Sequence, residues 1–318
     1  MDRKEIIKAY IAWGAVCLFW GTTYLAIRIG VESVPPALFA GIRFVIAGLI
    51  FLPFLMMKGY ALPARRELLD IAIVGIALLT IANGTVVWAE QWVPSSLAAL
   101  IVATLPFWVV GIEAVLPKGE RLNVKKVLGV LIGFSGMVIL LWPDLKSSID
   151  PNYLKGILAM LIPPISWGAG SIYSKRRNSK VHPLMAAALQ MLIAGIILVI
   201  IGGAAGEFSR LTYNPKGFAA IGYLVIFGSI IGYGSYIYAL AKLPTAVVSM
   251  YAFINPVIAV ILGWLILDER LDWWVATATL IIFTGVILVK TAPTGKRLPA
   301  PRVQENNTLQ KEKIKEAA

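Results

Sequence analysis

The sequence predicts an all-α integral membrane protein of ten transmembrane helices, arranged as two inverted-topology five-helix repeats, and three observations carry that prediction. First, the 318 residues are 58% hydrophobic and only 14% charged, with a mean hydropathy of +0.79. A soluble chain of this length carries about 25% charged residues because its surface must face water, so the apolar excess here requires lipid. Second, the apolar residues gather into segments close to the ~20 residues with which a helix crosses a hydrocarbon core. Third, scattered matches at offsets near 150 residues relate the first five segments to the last five.

The ten segments run approximately from Ala9 to Ile29, Pro36 to Met57, Leu68 to Ala89, Ser95 to Leu116, Val124 to Trp142, Leu154 to Tyr173, Pro183 to Gly203, Gly217 to Leu240, Thr245 to Leu267 and Trp273 to Val289. Each is expected to be helical, because in lipid every backbone polar group must be bonded within its own segment. Arg3, Lys4 and Lys8 precede the first segment as they would in a secretory signal. Its apolar run is too long for a signal core and no small-residue cleavage site follows, so it reads as a retained helix. Trp88, Trp92, Trp273 and Trp274 stand at segment ends, where indole rings favour the membrane interface.

Orientation follows from the cations. With the N-terminus in the cytoplasm, 22 of the 29 Lys and Arg fall on the inner side and five on the outer, leaving Arg28 and Arg43 within segments. Basic loops stay inside, so both termini are expected in the cytoplasm of a multi-pass inner-membrane protein, which demands an even number of crossings. The net charge of +12 is spread between apolar stretches and along the tail, a pattern that fits a bilayer partner and not a nucleic acid.

At an offset of 150, Gly84 falls on Gly234, Ala89 on Ala239, Pro94 on Pro244 and Pro106 on Pro256. At 149, Glu120-Arg121-Leu122 meets Glu269-Arg270-Leu271 and Ser135-Gly136 meets Thr284-Gly285, while Trp20-Gly21 pairs with Trp167-Gly168. The organisation is therefore residues 1–145 as a first repeat, 153–290 as a second and 291–318 as a basic, Pro-, Lys- and Gln-rich tail expected to be disordered. Five crossings are an odd number, so the second repeat enters the membrane in the opposite sense. Inverted repeats allow a substrate held near the midplane to be exposed to either side in turn.

Several functions are disfavoured by what the sequence lacks. A lone His182 and a lone Cys17 leave no set of metal ligands, no His-based catalytic constellation and no internal disulfide. No Gly-rich phosphate loop with Lys and Ser or Thr occurs, and no loop could house a nucleotide domain, so neither a cofactor nor nucleotide hydrolysis is expected. The chain reads as a nucleotide-independent carrier of a small molecule and not as an enzyme. An intramembrane lipid-modifying enzyme, or a receptor or scaffold, is the alternative.

The run Trp20-Gly21-Thr22-Thr23-Tyr24-Leu25-Ala26-Ile27-Arg28, with Val34-Pro35-Pro36 and Gly41-Ile42-Arg43-Phe44, resembles the opening of EamA-type members of the drug/metabolite transporter superfamily. Glu90-Gln91-Trp92-Val93-Pro94, Pro106 and Gly119-Glu120-Arg121-Leu122 extend the resemblance, and Leu243-Pro244, Asn255-Pro256 and Asp268-Glu269-Arg270-Leu271 repeat it. It covers Ala9 to Lys290. The resemblance implies a ten-helix inner-membrane exporter of amino acids, other metabolites or drugs. Ser95-Ser96 departs from the Ser-Gly that the family often has there.

Polar groups within the membrane are costly and face the protein interior or a wet cavity. Trp13, Cys17, Trp20, Tyr24 and Arg28 share one face of the first helix, and Thr80, Asn83, Val87 and Glu90 one face of the third. Trp167 and Ser171 on the sixth, Ser229, Tyr233 and Tyr236 on the eighth, and Tyr251 and Asn255 on the ninth complete a candidate ring. Trp20, Tyr24, Asn83, Trp167, Ser171, Tyr233, Tyr236, Tyr251 and Asn255 are the candidate substrate-binding residues; the plain alternative for each aromatic is helix packing or an interfacial belt.

Arg43 lies about two turns inside the second helix and needs a partner, for which Glu90 and Glu32 are the carboxylates at its level. Arg28, Arg43, Glu90 and Glu113 are the candidate structural or gating charges. Glu113 either carries a proton or pairs with Lys118 or Lys126. Pro106, Pro163, Pro164 and Pro256 each remove a helix hydrogen bond and are the candidate hinges. Gly129/Gly133 and Gly228/Gly232 have the spacing for close helix contact, within the chain or between two copies.

Overall fold

A computed structural model describes residues 3–117, 123–146, 150–177, 179–243, 245–248, 251–269 and 272–292. The Glu120-Arg121-Leu122 turn, Pro244, Arg270, Leu271 and the tail beyond Ala292 lie outside these. Among the described residues the secondary structure is helical throughout. Seven helices are long and apolar enough to cross a membrane: α1 (Arg3–Val31), α2 (Pro36–Met57), α3 (Arg65–Ala89), α4 (Ser95–Val115), α6 (Pro151–Arg177), α7 (Pro183–Ala204) and α8 (Pro215–Lys242). Between α4 and α6 lies α5 (Val124–Lys146). The described residues end with α9 (Tyr251–Leu267), preceded by a helical turn Thr245–Val248, and α10 (Trp273–Lys290).

The helices begin where the sequence makes beginning easy. Proline stands in the first turn of α2, α6, α7 and α8, where its missing N–H would have had no helical partner anyway. Asp150 and Asn214 cap α6 and α8 by accepting from the Asn152 and Lys216 amides. α1 begins six residues earlier than its apolar run, because Glu5 pairs with Lys8 one turn on, at 3.0 Å.

Four of the helices are irregular. α4 breaks between Val102 and Leu105, just before Pro106, and α6 breaks between Ala159 and Ile162, just before Pro163 and Pro164. Pro256 instead lies inside the continuous α9. α3 and α8 each contain a π-helical stretch, Ile76–Asn83 and Leu224–Tyr233. The wider turn shifts the backbone bonding, and a side chain from another helix takes a carbonyl in each: Ser166 donates to Ala77 at 2.8 Å and Trp20 to Gly228 at 3.1 Å.

α2 packs along α7, and α5 along α10. α1 lies against α8 and α9, α6 against α3 and α4, and α4 touches α9 across the middle. Small residues set the closest approaches. A Cβ at Gly129 would stand 2.7 Å from the Gly285 carbonyl, and one at Gly195 2.5 Å from the Val45 amide, so the Gly129 face is occupied by α10 of the same chain. Trp274 donates its indole N–H to the Ile139 carbonyl, tying α10 to α5, whereas Trp273 is exposed. Leu49, Ile50, Phe54, Ile196, Ile200 and Leu280 project outward, an apolar surface suited to acyl chains and out of place in water.

Candidate functional site

The irregular stretches converge on one cavity of about 70 Å³ in the middle of the bundle. Trp20, Tyr24, Asn83, Trp167, Tyr233, Tyr251 and Asn255 line it, together with Arg43, Pro163 and Pro164. Tyr236 and Ser171 stand behind this wall. The Tyr236 hydroxyl accepts from the Trp167 indole at 3.0 Å and shares a 2.8 Å hydrogen bond with Ser171, whose own Oγ donates to the Trp167 carbonyl. These two therefore orient Trp167 and do not meet a cavity occupant directly.

Trp20 is the centre of the aromatic cluster. Its ring meets Trp167 and Tyr251 edge to face at 5.3 and 5.1 Å and lies tilted against Tyr236 at 5.1 Å, arrangements that the ring quadrupoles favour. It reaches this position because Gly228 and Gly232 leave room: a Cβ on Gly232 would lie 2.5 Å from the Trp20 indole nitrogen, and one on Gly228 2.9 Å from the Arg43 guanidinium. The close contact expected of these glycines is thus made to side chains of α1 and α2.

Arg43 is 3% exposed. Its partner is Ser229, which accepts from Nε at 2.8 Å, and the guanidinium lies 4.7 Å from the Phe44 ring centroid. The expected carboxylate is not its hydrogen-bonding partner, because the π stretch of α8 brings Ser229 to it first. Nη1 has no partner among the described residues. Arg28 donates to the Glu90 backbone carbonyl, and among the described residues neither oxygen of the fully buried Glu90 carboxylate finds a hydrogen bond. Neither residue lines the cavity. Glu113 is half-buried on the second piece of α4, also away from the cavity lining.

The remaining polar groups fall into two sets. Tyr233 donates to Gln190 at 2.7 Å, and Asn255, with its amide nitrogen turned toward them, donates to the Tyr251 and Cys17 carbonyls at 3.2 and 3.1 Å. On α3, by contrast, Thr80 Oγ1 and Asn83 Oδ1 are buried without a partner among the described residues. A buried polar group left unpaired costs about 1–3 kcal/mol, and among the described residues Asn83 Oδ1, an acceptor, and Arg43 Nη1, a charged donor, both have unused hydrogen-bonding capacity.

At one end of the bundle the Glu269 carboxylate caps the start of α4, accepting from Ser95 N and Oγ at 2.9 and 2.8 Å and from Ser96 N at 3.1 Å. The serine pair is thus held by a residue from the other half of the chain. Sequence reasoning missed this cap, and it missed Gln190, a single amide in an apolar helix. It also missed Thr23, Phe44, Leu79 and Val86, which line the cavity but look in sequence like ordinary core. Among the described residues no three His, Cys, Asp or Glu side chains gather as a metal site.

The family model described as the EamA-like transporter family matches residues 7–142 and 154–291. An uncharacterized inner membrane transporter of Escherichia coli (strain K12), YedA, is 37% identical over 311 residues, spanning 96% of this chain and 99% of its own. Protein PagO of Salmonella typhimurium is 28% identical over 97% of this chain and 100% of its own, and an uncharacterized transporter of Bacillus subtilis, YvbV, 24% over 95% and 96%. A crystal structure 22% identical in sequence superposes with a TM-score of 0.66 over 88% of this chain and 96% of that one, a likeness of fold alone.

Proposed function

The chain belongs to the EamA-like transporter family, and from that membership we propose that it is a secondary exporter of amphipathic small metabolites, amino acids among them, working by alternating access. Ten crossings in two inverted five-helix repeats, set in an inner membrane with both termini in the cytoplasm, form the frame of this reading. Its support lies in pairs of like contacts. The π stretches fall about 150 residues apart. α1 meets α8 and α9 as α6 meets α3 and α4, and Trp20 reaches into one π stretch as Ser166 reaches into the other.

The observation that carries the function is the cavity itself, aromatic on most sides and lined also by Asn83 and Arg43, whose Oδ1 and Nη1 are unpaired among the described residues. An occupant with an apolar body, a hydrogen-bond donor and an anionic group would satisfy all three features. At about 70 Å³ the space is well below the ~300–1,000 Å³ of ordinary ligand pockets, so loading requires the helices to part. The breaks before Pro106 and Pro163 and the two π stretches are the hinges for that motion.

The test is counterflow in proteoliposomes against a panel of radiolabelled amino acids and amphipathic drugs. Exchange of at least one labelled compound is expected, and its absence across the panel contradicts the carrier reading. Labelling single cysteines placed in the two Glu-Arg-Leu turns with an impermeant thiol reagent tests the frame. Modification from opposite sides is expected, and modification from one side contradicts inversion.

A further inference from the structure

A second and larger cavity of about 530 Å³ lies on the other side of α8 from the aromatic cluster. Four helix ends form its mouth: Glu5 and Lys8 in the first turns of α1, Tyr60 just beyond α2, His182 just before α7, and Tyr238 and Lys242 at the end of α8. Its floor is apolar, made by Phe51, Leu184, Ile230 and Ile231. Ile230 lies twelve residues before Lys242, which is about 18 Å along a helix. The crevice therefore runs from a charged rim deep into the hydrocarbon level.

The rim carries one net positive charge. Glu5 accepts from Lys8 at 3.0 Å and from the Tyr238 hydroxyl at 2.9 Å, and it lies 3.6 Å from Lys242. One carboxylate thus stands against two ammonium groups, and the Lys8 side chain remains 64% exposed. Burial, and then the neighbouring Lys242, hold the His182 ring below its ordinary pKa, so it adds no charge at neutral pH. Its Nδ1 is buried without a partner among the described residues, and the ring lies tilted against Tyr60 at 4.1 Å.

We propose that this crevice is a binding site for an anionic glycerophospholipid, with the phosphodiester between Lys8 and Lys242 and one acyl chain along the Phe51–Ile230 floor. A phosphodiester carries a single negative charge, which matches the rim. A free phosphate would match the rim but leave the apolar depth empty. Basic pockets between transmembrane helices at headgroup level bind acidic lipids by this combination. The site shares no lining residue with the central cavity, so it stands or falls independently of the transport reading.

Native mass spectrometry of the full chain, stripped of lipid and given equimolar phosphatidylglycerol and phosphatidylcholine in detergent, tests the proposal. Phosphatidylglycerol is expected to be retained in preference by about tenfold, because its net negative charge meets the net positive rim while the choline cation of phosphatidylcholine cancels that attraction. K8Q/K242Q is expected to bring the two lipids near parity, while K58Q, which changes a lysine outside the crevice, keeps the preference. Equal retention of both lipids by the unaltered protein overturns the proposal, as does an undiminished preference in K8Q/K242Q. Displacement of phosphatidylglycerol by inorganic phosphate at the same concentration would also overturn it, by assigning the rim to a soluble anion.

Discussion

The π stretch of α8 and the π stretch of α3 flank the same cavity and treat their polar groups in opposite ways. In α8, Gly228 offers its carbonyl to Trp20, Ser229 takes Arg43 and Tyr233 donates to Gln190, so each of these groups is partnered within the protein. In α3, Ser166 occupies the Ala77 carbonyl, but Thr80 Oγ1 and Asn83 Oδ1 have no partner among the described residues. A fully satisfied wall fixes geometry, whereas a wall with unpaired acceptors keeps hydrogen bonds in reserve. On the proposed carrier reading, the α8 side is the scaffold and the α3 side is where an occupant makes its polar contact. Substitutions on the two sides should separate stability from flux.

The largest effect is expected at the scaffold's anchor. Trp20→Ala removes four contacts at once, the Gly228 hydrogen bond and three ring pairs, and should lower stability by about 3–5 kcal/mol, the range for Trp or Phe to Ala in packed sites. Denaturant titration in detergent measures it, and a loss under about 1 kcal/mol would remove the scaffold role. Arg43 bridges the two sides, being tied to Ser229 while keeping Nη1 unpaired. Arg43→Ala should reduce counterflow by more than about tenfold, the worth of a charge-assisted contact. Arg43→Lys should retain part of it, since a point charge keeps the attraction and loses the fork. Wild-type flux in correctly inserted Arg43→Ala would take Arg43 out of the mechanism.

The smallest effect belongs to His182, outside both stretches. Because the fold depresses its pKa, its contribution is fully present above its ordinary value near 6.5 and is lost as pH falls through the lowered value. Thermal stability should dip slightly as pH falls below the ordinary histidine value of about 6.5, and His182→Gln should flatten that part of the profile. An unchanged slope in the variant would show that another group titrates there. Partial solvation of the ring keeps the effect small.

Much of the scaffold was legible in the sequence, because a bilayer imposes length. α2 begins and ends where its apolar run does, and α7 extends one residue past the expected Gly203, each opened by a proline. The polar stripes also foretold Trp20, Asn83, Trp167 and Tyr233 at one cavity, since a costly group in lipid must point inward. The π stretches left no trace, because they arise from a shift in backbone bonding that no residue type marks. For the same reason Arg43 was matched to a carboxylate by level, while the shifted backbone delivered Ser229. Gln190 and the apolar lining escaped notice because nothing in sequence separates a cavity-facing Phe44 from a packed one.

The division between scaffold and contact is tested most directly by measuring counterflow and thermal stability together for Asn83→Leu and Tyr233→Phe, with a labelled compound that the unaltered protein exchanges. Asn83→Leu should keep its melting temperature and lose about tenfold in flux, since Oδ1 has no protein partner to lose and one hydrogen bond to a charged donor is worth about that factor. Tyr233→Phe should melt earlier, by the cost of about 1 kcal/mol for stranding the Gln190 oxygen, and exchange at nearly the original rate per folded molecule. Undiminished flux through Asn83→Leu would contradict the account.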